Sequence, residues 1–336
     1  MLRALILIAL VALAAAADAQ ADGSPVAFVA VPARSEVVAV DLTAGRVVAR
    51  VSVPRGPQEL AAIDALSNVL VASPAAGTVT QIDALTQGVV KVWRDFGRPT
   101  DVVVDGIRGY VTDTSRGRLV VIDLVAQRIV ARIPVGAQPH AVAVGDLAVV
   151  AHRTGSSLTL VDVRRRRIVG SLPVGAPVQS LSKEPDTTNV YVTFQRSGVL
   201  ARVDWGSRQV GFRREVAAGP ADVVKDIYVG DNVWLADGTG NRVLLVSART
   251  GKVRRVLRGC SGALRLAQVG AASIAATCPG DGSIALWANR GRKRSLTSVG
   301  GAPAGIAISI YPFRPTAASL LDRSLERGPM GVQRAK

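Results

Sequence analysis

Hydrophobic residues in this chain occur in short runs, and each run is broken by Gly, Pro, Asp or Ser. The segment after Pro99 shows the pattern best, with apolar runs at 101–105, 109–113, 119–123 and 128–135. Alternation with a period of two favours strands over helices. The abundance of Val and Ile supports strands, because branched side chains pack well on a pleated surface. The segment therefore predicts four consecutive short strands.

The same four-strand unit recurs along the chain. A proline next to or shortly after a glycine marks the start of a unit at Pro57, Pro99, Pro139, Pro177, Pro220 and Pro303. The first intervals are 38 to 43 residues, and the last is 83, with Gly259 where a further unit should begin. Seven units of about 41 residues with four short strands each predict a seven-bladed, all-β propeller.

The two ends of the repeat region complement each other. The last unit supplies one strand, at 305–310, and the chain begins with the three strands that this unit lacks, at 26–31, 36–41 and 46–53. We therefore predict a propeller over 24–311 whose seventh blade is shared between N- and C-terminal strands. This closure removes exposed strand edges.

The residues outside the propeller predict export. Arg3 precedes an apolar run of 14 residues, and Ala17 and Ala19 fit a small-x-small cleavage pattern, so 1–19 is predicted to be a signal peptide. An uncleaved N-terminal anchor is the alternative. After cleavage no segment is expected to span a membrane, and a monomer in the periplasm or medium is expected. Residues 312–336 are predicted to form a tail with a short helix.

One repeat carries a recognisable motif. Residues 109–113 read Gly-Tyr-Val-Thr-Asp, and 190–194 contain a weaker copy with Tyr191-Val192-Thr193. These residues, with the surrounding strand pattern over 26–310, resemble the YVTN-family β-propeller repeat, although Asp113 replaces its asparagine. The resemblance implies an extracytoplasmic propeller that binds a partner without catalysis, and says little about the ligand.

Catalytic motifs are scarce in this sequence. The chain has two histidines, His140 and His152, and neither lies in a metal-ligand spacing. A nucleophile elbow of the Gly-x-Ser-x-Gly kind and a phosphate-binding loop are also absent from the sequence. Aspartates recur at the end of the third strand, where we expect them to close turns by bonding their own backbone; they are Asp41, Asp83, Asp123, Asp162 and Asp204.

The starts of the innermost strands are the better candidates for ligand binding, because they converge at one mouth of the central channel. Two residues beyond each unit's starting position lie Glu59, Asp101, Ala141, Gln179, Asp222, Ala263 and Gly305. Our ligand-binding candidates there are Glu59, Asp101, His140, Gln179 and Asp222. The alternative is that the acids only cap strand starts and that His140 hydrogen-bonds locally. A lactonase-like hydrolase is the enzymatic alternative, with a metal on Glu59, Asp101 and Asp222; no cofactor or metal is predicted for the leading hypothesis.

The two cysteines are predicted to form a disulfide. Cys260 lies in a fourth-to-first-strand connection and Cys278 in a second-to-third-strand connection, which share one rim of a propeller. Their even number and the predicted oxidising compartment favour a bond between them.

Charge supplies the last clue. The chain has 336 residues and a net charge of +16, and basic residues gather in the turns between third and fourth strands. The polyanion-binding candidates are Arg164, Arg165, Arg166, Arg167, Arg290, Arg292, Lys293 and Arg294. They predict a basic rim for an anionic surface polymer or, alternatively, nucleic acid; aromatics are only 4% of the chain, which gives little support to base stacking. A merely solvated basic surface is the other interpretation.

The leading hypothesis is therefore a secreted or periplasmic, non-catalytic binding or scaffold propeller. Its partner is expected to be a protein or an anionic surface polymer.

Overall fold

The computed structural model describes residues 25–228, 230–288 and 293–309. These residues form seven four-stranded antiparallel sheets arranged as the blades of a β-propeller, which confirms the predicted fold. The predicted signal peptide at 1–19 and the tail at 312–336 lie outside the described residues. No described helix is long and apolar enough to cross a membrane.

Strands are numbered along the chain, and blades follow the order of their innermost strands. Three strands open the chain: β1 (Val26–Val31), β2 (Glu36–Asp41) and β3 (Arg46–Ser52). Blade 1 contains β4 (Glu59–Ile63), β5 (Asn68–Ser73), β6 (Thr78–Asp83) and β7 (Val89–Trp93). Blade 2 contains β8 (Pro99–Asp105), β9 (Arg108–Asp113), β10 (Arg118–Asp123) and β11 (Arg128–Pro134). Blade 3 contains β12 (Pro139–Val144), β13 (Ala148–His152), β14 (Ser157–Asp162) and β15 (Arg167–Pro173).

The remaining blades repeat this order. Blade 4 contains β16 (Val178–Lys183), β17 (Asn189–Phe194), β18 (Val199–Asp204) and β19 (Gln209–Glu215). Blade 5 contains β20 (Pro220–Lys225), β21 (Asn232–Asp237), β22 (Arg242–Ser247) and β23 (Val253–Arg258). Blade 6 contains β24 (Leu266–Val269), β25 (Ser273–Cys278), β26 (Ser283–Ala288) and β27 (Lys293–Ser298). The last strand, β28 (Ile306–Ser309), is the innermost strand of blade 7.

Blade 7 closes the ring from both ends of the chain, as predicted. β28 pairs antiparallel with β1, with Val29 opposite Ile306 and Val26 opposite Ser309. Gly305 precedes β28, and a side chain there would collide with the backbone oxygen of Gln58 in blade 1. The close approach of two blades therefore explains why this position is glycine.

The hydrophobic core lies between the blades. The described residues form seven buried apolar clusters, and each cluster joins the facing sides of two neighbouring blades. The middle strands are covered on both faces, so β1 is buried along its whole length, whereas the outermost strand β3 is mostly exposed or half-buried. This explains why the middle strands read as continuous apolar runs.

The recurrent aspartates close turns, as expected. Asp41 Oδ1 accepts hydrogen bonds from the backbone N–H groups of Thr43 (2.8 Å) and Ala44 (2.9 Å). The same bonds are made by Asp83, Asp123 and Asp204, and by Asp162 to the N–H of Arg165. Each of these carboxylates hydrogen-bonds the backbone of its own turn, so together they do not form a shared site.

The predicted disulfide is present between Cys260 and Cys278, which are separated by 18 residues. Both cysteines are buried in the apolar cluster between blades 5 and 6. Closing a loop of this length removes unfolded-state entropy worth about 3 kcal/mol.

Replacing both cysteines by alanine is therefore expected to lower the free energy of unfolding by about 3 kcal/mol. Denaturant unfolding of the oxidised wild type and the double alanine variant measures the difference. Wild type treated with a reductant should move towards the variant; equal unfolding midpoints for all three samples would contradict the prediction.

Candidate functional site

The seven innermost strands begin at one mouth of the central channel, on the rim called the upper rim here. The other ends of these strands, with the third-to-fourth-strand turns, form the lower rim. The residues at the upper mouth that occupy equivalent positions form the mouth ring; they are Glu59, Asp101, Ala141, Ser180, Asp222, Arg265 and Gly305.

The hydrogen-bond register corrects two sequence-based assignments in this ring. The backbone N–H of Asp101 donates to Thr112 Oγ1 (3.0 Å), and the backbone N–H of Arg265 donates to the equivalent Thr277 Oγ1 (3.0 Å). Arg265, and not Ala263, is therefore the ring residue of blade 6. This connection contains no proline, and Ser261, counted in its place, lies two residues too early for the ring position; Ala263 is instead fully buried in the core.

Blade 4 shows the second correction. Ser180 pairs with Thr193 after a bulge, just as Asp101 pairs with Thr112. Ser180 is therefore the ring residue, and the predicted Gln179 lies one position earlier. Gln179 nevertheless lines the same cavity at the mouth.

Arg265 is the ring residue that counting along the repeat missed. Its Nε donates to Glu59 Oε2 at 2.6 Å, an ion pair that joins blades 6 and 1 across the mouth. Burial raises the pKa of Glu59, and the neighbouring guanidinium only partly opposes this effect. Burial alone lowers the pKa of Arg265, but the carboxylates of Glu59 and Asp222 outweigh it and raise that pKa.

The other two acids of the ring fasten neighbouring blades together. Asp101 Oδ2 accepts from the backbone N–H of Val142 in blade 3 at 2.7 Å. Asp222 accepts from Ser180 Oγ in blade 4 (2.7 Å) and from the backbone N–H of Leu266 in blade 6 (3.0 Å). These bonds satisfy the carboxylates within the protein, so the acids hold the inner strands together.

Burial also changes how these acids titrate. Burial, with the charge of Glu59 nearby, raises the pKa of Asp101 to about 7, although the bond from Val142 opposes the shift. Burial likewise raises the pKa of Asp222, against the lowering effects of Arg265 and Ser180. The raised pKa of Asp101 places its change of charge near neutral pH.

A cavity of about 230 Å³ opens at this mouth beside the ring. Its lining is polar, with Arg153 and the side chains of Gln58, Thr100, His140, Gln179 and Gln195 beside the ring residues. Such a lining offers both donors and acceptors of hydrogen bonds.

His140 is unusual within this lining. Both of its ring nitrogens are buried and have no partner of hydrogen-bonding geometry among the described residues. Burial, followed by the charge of Arg153, lowers its pKa to about 4, while the Gln179 and Ala151 backbones raise it only slightly. The imidazole is therefore neutral at physiological pH. His140 lies on β12 and not in a loop; local hydrogen bonding of its ring stays a prediction.

His152 provides the contrast. Its Nδ1 lies 2.7 Å from the backbone oxygen of Ala137, and its Nε2 lies 2.8 Å from Thr159 Oγ1. Both nitrogens of His152 have hydrogen-bond partners within the protein, so His152 is structural. The nitrogens of His140 lack such partners and can bond a group in the cavity.

The metal-dependent hydrolase requires carboxylates that converge on one ion. Among 25–228, 230–288 and 293–309, no three His, Cys, Asp or Glu side chains are grouped so that they could hold a metal. The guanidinium of Arg265 lies beside Glu59, where a divalent cation would be repelled. This geometry does not support a metal on Glu59, Asp101 and Asp222.

The basic turns lie on the lower rim, opposite the mouth. Arg164 and Arg166 line a pocket between blades 2 and 3, whereas Arg165 pairs with Asp162 of its own turn at 2.9 Å. Arg167 begins β15 and is exposed. Arg290 and Arg292 lie outside the described residues, and Lys293 and Arg294 belong to β27.

The lower rim is less uniformly basic than the third-to-fourth-strand turns alone predicted. The first-to-second-strand turns share this rim and bring acids with them, including Glu184 and Asp231. Glu184 lies 3.7 Å from Lys225, and Asp231 lies 3.2 Å from Arg254. Whether this rim binds polyanions stays a prediction.

Comparison with solved structures supports the fold. A functionally unknown protein from Desulfotomaculum acetoxidans is 12% identical, with a TM-score of 0.73 over 85% of this chain and 99% of that chain. Hydrazine synthase from Kuenenia stuttgartiensis is 16% identical, with a TM-score of 0.68 over 76% and 90%. Apo AztD from Citrobacter koseri is 15% identical, with a TM-score of 0.63 over 85% and 98%.

These likenesses establish the propeller architecture alone. No protein-family model matches the chain, and no curated protein matches it. The YVTN label therefore stays a prediction, and the function has to be argued from the site itself.

Proposed function

We propose that this chain is an extracytoplasmic, non-catalytic binding propeller that holds a small, neutral, hydrogen-bonding group in the cavity at its upper mouth. The observation that carries the proposal is His140, whose two buried nitrogens lack partners in a polar cavity of about 230 Å³. Leaving a buried polar group unpaired costs about 1–3 kcal/mol, so a ligand that pairs with it recovers part of that energy.

Positive and negative charges around the cavity largely balance, with Arg265 and Arg153 against Glu59 and Asp222, and this balance favours a neutral occupant. Glu59 is neutralised by Arg265, and the oxygens of Asp222 already accept bonds from two other blades. His140 is uncharged, because burial lowers its pKa to about 4. His140 and the carboxamides of Gln58 and Gln179 line the cavity without a side-chain hydrogen bond among the described residues, and they suit hydroxyl or amide groups. The exposed Arg153 adds a charged donor, whereas Thr100 and Gln195 already bond within the protein.

The compartment is proposed on separate grounds. A disulfide between Cys260 and Cys278 is typical of proteins outside the reducing cytoplasm. The predicted signal peptide at 1–19 agrees with this location. The ring carboxylates are used to join blades, which supports binding over catalysis.

The test uses glucose, glycerol and acetamide as neutral probes at millimolar concentration. The chain has two histidines, so the imidazole signals of ¹³C-histidine-labelled protein report on His140 and His152 separately. Binding at the mouth should shift the His140 signals and leave those of His152 in place, and calorimetry should give a matching affinity.

Two variants sharpen this test. His140→Phe should abolish binding and leave the thermal midpoint unchanged or higher, since it removes unpaired buried nitrogens. His152→Phe should lower the midpoint, because it breaks two satisfied contacts, and should leave binding intact. The proposal is wrong if no neutral probe shifts the His140 signals, or if His140→Phe binds as well as the wild type.

A further inference from the structure

A second concave site lies on the lower rim, far along the strands from the upper mouth. It is a pocket of about 540 Å³ between blades 2 and 3. Its floor is the face of blade 2, where Tyr110, Val121 and Ala131 are buried and belong to the core between the two blades. Val163, in the third-to-fourth-strand turn of blade 3, completes the apolar part of the lining.

Four arginines surround this apolar floor. Arg108 and Arg128 come from blade 2, and Arg164 and Arg166 come from the turn of blade 3. Arg108 pairs with Asp123 at 2.9 Å. Within the described ranges, no carboxylate lies within ion-pair distance of Arg128, Arg164 or Arg166. The pocket therefore presents three uncompensated guanidinium groups.

The turn places the four arginines at 164–167 in different surroundings. Arg164 and Arg166 line the pocket, whereas Arg165 turns back to Asp162 and Arg167 enters β15. Alternate residues of one basic run thus have different surroundings. A diffuse basic surface would treat all four alike, so the split points to a discrete site.

Arg166 has φ +55°, in the left-handed region that favours glycine. The equivalent turn position is glycine in blades 7 and 5 (Gly45 and Gly251) but glutamine or arginine in blades 1, 2 and 4 (Gln87, Gln127 and Arg208), all with positive φ. The backbone conformation is therefore shared by these turns, and Arg166 differs in that its side chain borders the pocket.

We propose that this interblade pocket binds a phosphomonoester or sulfate monoester of a compact apolar group. Guanidinium groups bind such head groups through paired hydrogen bonds, and their charge is offset by a dianion better than by a single carboxylate. The floor of Tyr110, Val121 and Ala131 accommodates the apolar part of the ligand, as is usual for pockets of this size. This site is independent of the proposed binding at the upper mouth.

The direct test is calorimetry with 1-naphthyl phosphate, compared with inorganic phosphate and 1-naphthol. We expect naphthyl phosphate to bind more tightly than either half alone. Vesicles of phosphatidylcholine containing phosphatidic acid form a separate arm, because phosphatidic acid carries the same head group on a lipid. Vesicle binding without naphthyl phosphate binding would overturn the soluble-ligand proposal and point to a membrane surface.

Two double variants with the same loss of charge separate a discrete site from a diffuse one. Arg164→Ser with Arg166→Ser should weaken naphthyl phosphate binding at least about tenfold, since each charge-assisted bond is worth more than a neutral one. Arg165→Ser with Arg167→Ser should change the affinity by less than about threefold by the same scale. Equal losses in both variants would overturn the proposal and leave general electrostatic attraction.

A single variant removes the concern about misfolding. Arg166→Gly should weaken binding while leaving the thermal midpoint unchanged or higher, because glycine suits the left-handed turn. Arg208→Gly, at the equivalent position of blade 4 with φ +58°, is the matched control and should bind naphthyl phosphate like the wild type. Wild-type affinity in Arg166→Gly would contradict the assignment of this residue.

Discussion

Arg265→Met is expected to lower the free energy of unfolding by about 3–5 kcal/mol, because it leaves a buried carboxylate without its partner. Glu59 Oε2 accepts from Arg265 Nε at 2.6 Å, and both groups lie at the mouth with most of their side-chain surface covered. The variant also removes a positive charge that lowers the pKa values of Asp101 and Asp222. Urea unfolding at neutral pH measures the loss.

Two further variants serve as controls for Arg265→Met. Adding Glu59→Gln to Arg265→Met should recover much of the loss, because a neutral amide replaces the unpaired charge. Arg116→Met breaks an exposed ion pair of 2.9 Å with Asp95 and should cost less than about 1 kcal/mol. If Arg265→Met costs no more than Arg116→Met, the ring is not held together by its buried ion pair.

Asp101→Asn is expected to stabilise the fold increasingly as the pH rises from about 4 to 7. Burial raises the pKa of Asp101 to about 7 from its usual 3.8. The folded protein therefore keeps a proton that the unfolded chain has lost, and the wild type loses stability across this window as the pH rises. The accumulated penalty is roughly 4 kcal/mol, and it is constant above pH 7 because both states are then ionised.

Asparagine avoids this penalty and keeps the useful contact. Its side-chain oxygen can still accept the 2.7 Å bond from the N–H of Val142. The stability difference between Asp101→Asn and wild type should be near zero at about pH 4 and largest at neutral pH, as measured by chemical denaturation at several pH values. Asp105→Asn, at the exposed end of the same strand, controls for the loss of one negative charge. A difference that does not grow with pH would refute the raised pKa.

Local patterns predicted the architecture well because every blade is built from the same local rules. Apolar alternation gave the strands, and the spacing of the prolines gave the seven units. The strands 26–31 and 305–310 implied closure from both ends. Cys260 and Cys278 could be paired for a similar reason, since blade topology places their two connections on one rim.

Counting from the repeat failed where its proline marker is missing or shifted. No proline precedes β24, and Ser261, which took its place in the count, lies two residues too early, so Arg265 and not Ala263 is the ring residue. In blade 4 the strand β16 begins one residue after Pro177, so Ser180 occupies the position assigned to Gln179. One residue of slip moves a side chain to the opposite face of a strand, so position in a ring cannot be read from spacing alone.

The amino-acid pattern was enough to predict the fold class, the number of blades, the closing blade, the disulfide and the turn-closing aspartates, because these depend on neighbours along the chain or on repeat topology. The folded structure was needed to find the ion pair between Glu59 and Arg265, the unpaired nitrogens of His140 and the separation of Arg164 and Arg166 from Arg165. Each of these depends on contacts between residues of different blades or on the direction of a side chain in a turn. Such contacts are made across the ring, where distance along the sequence carries no information about distance in space.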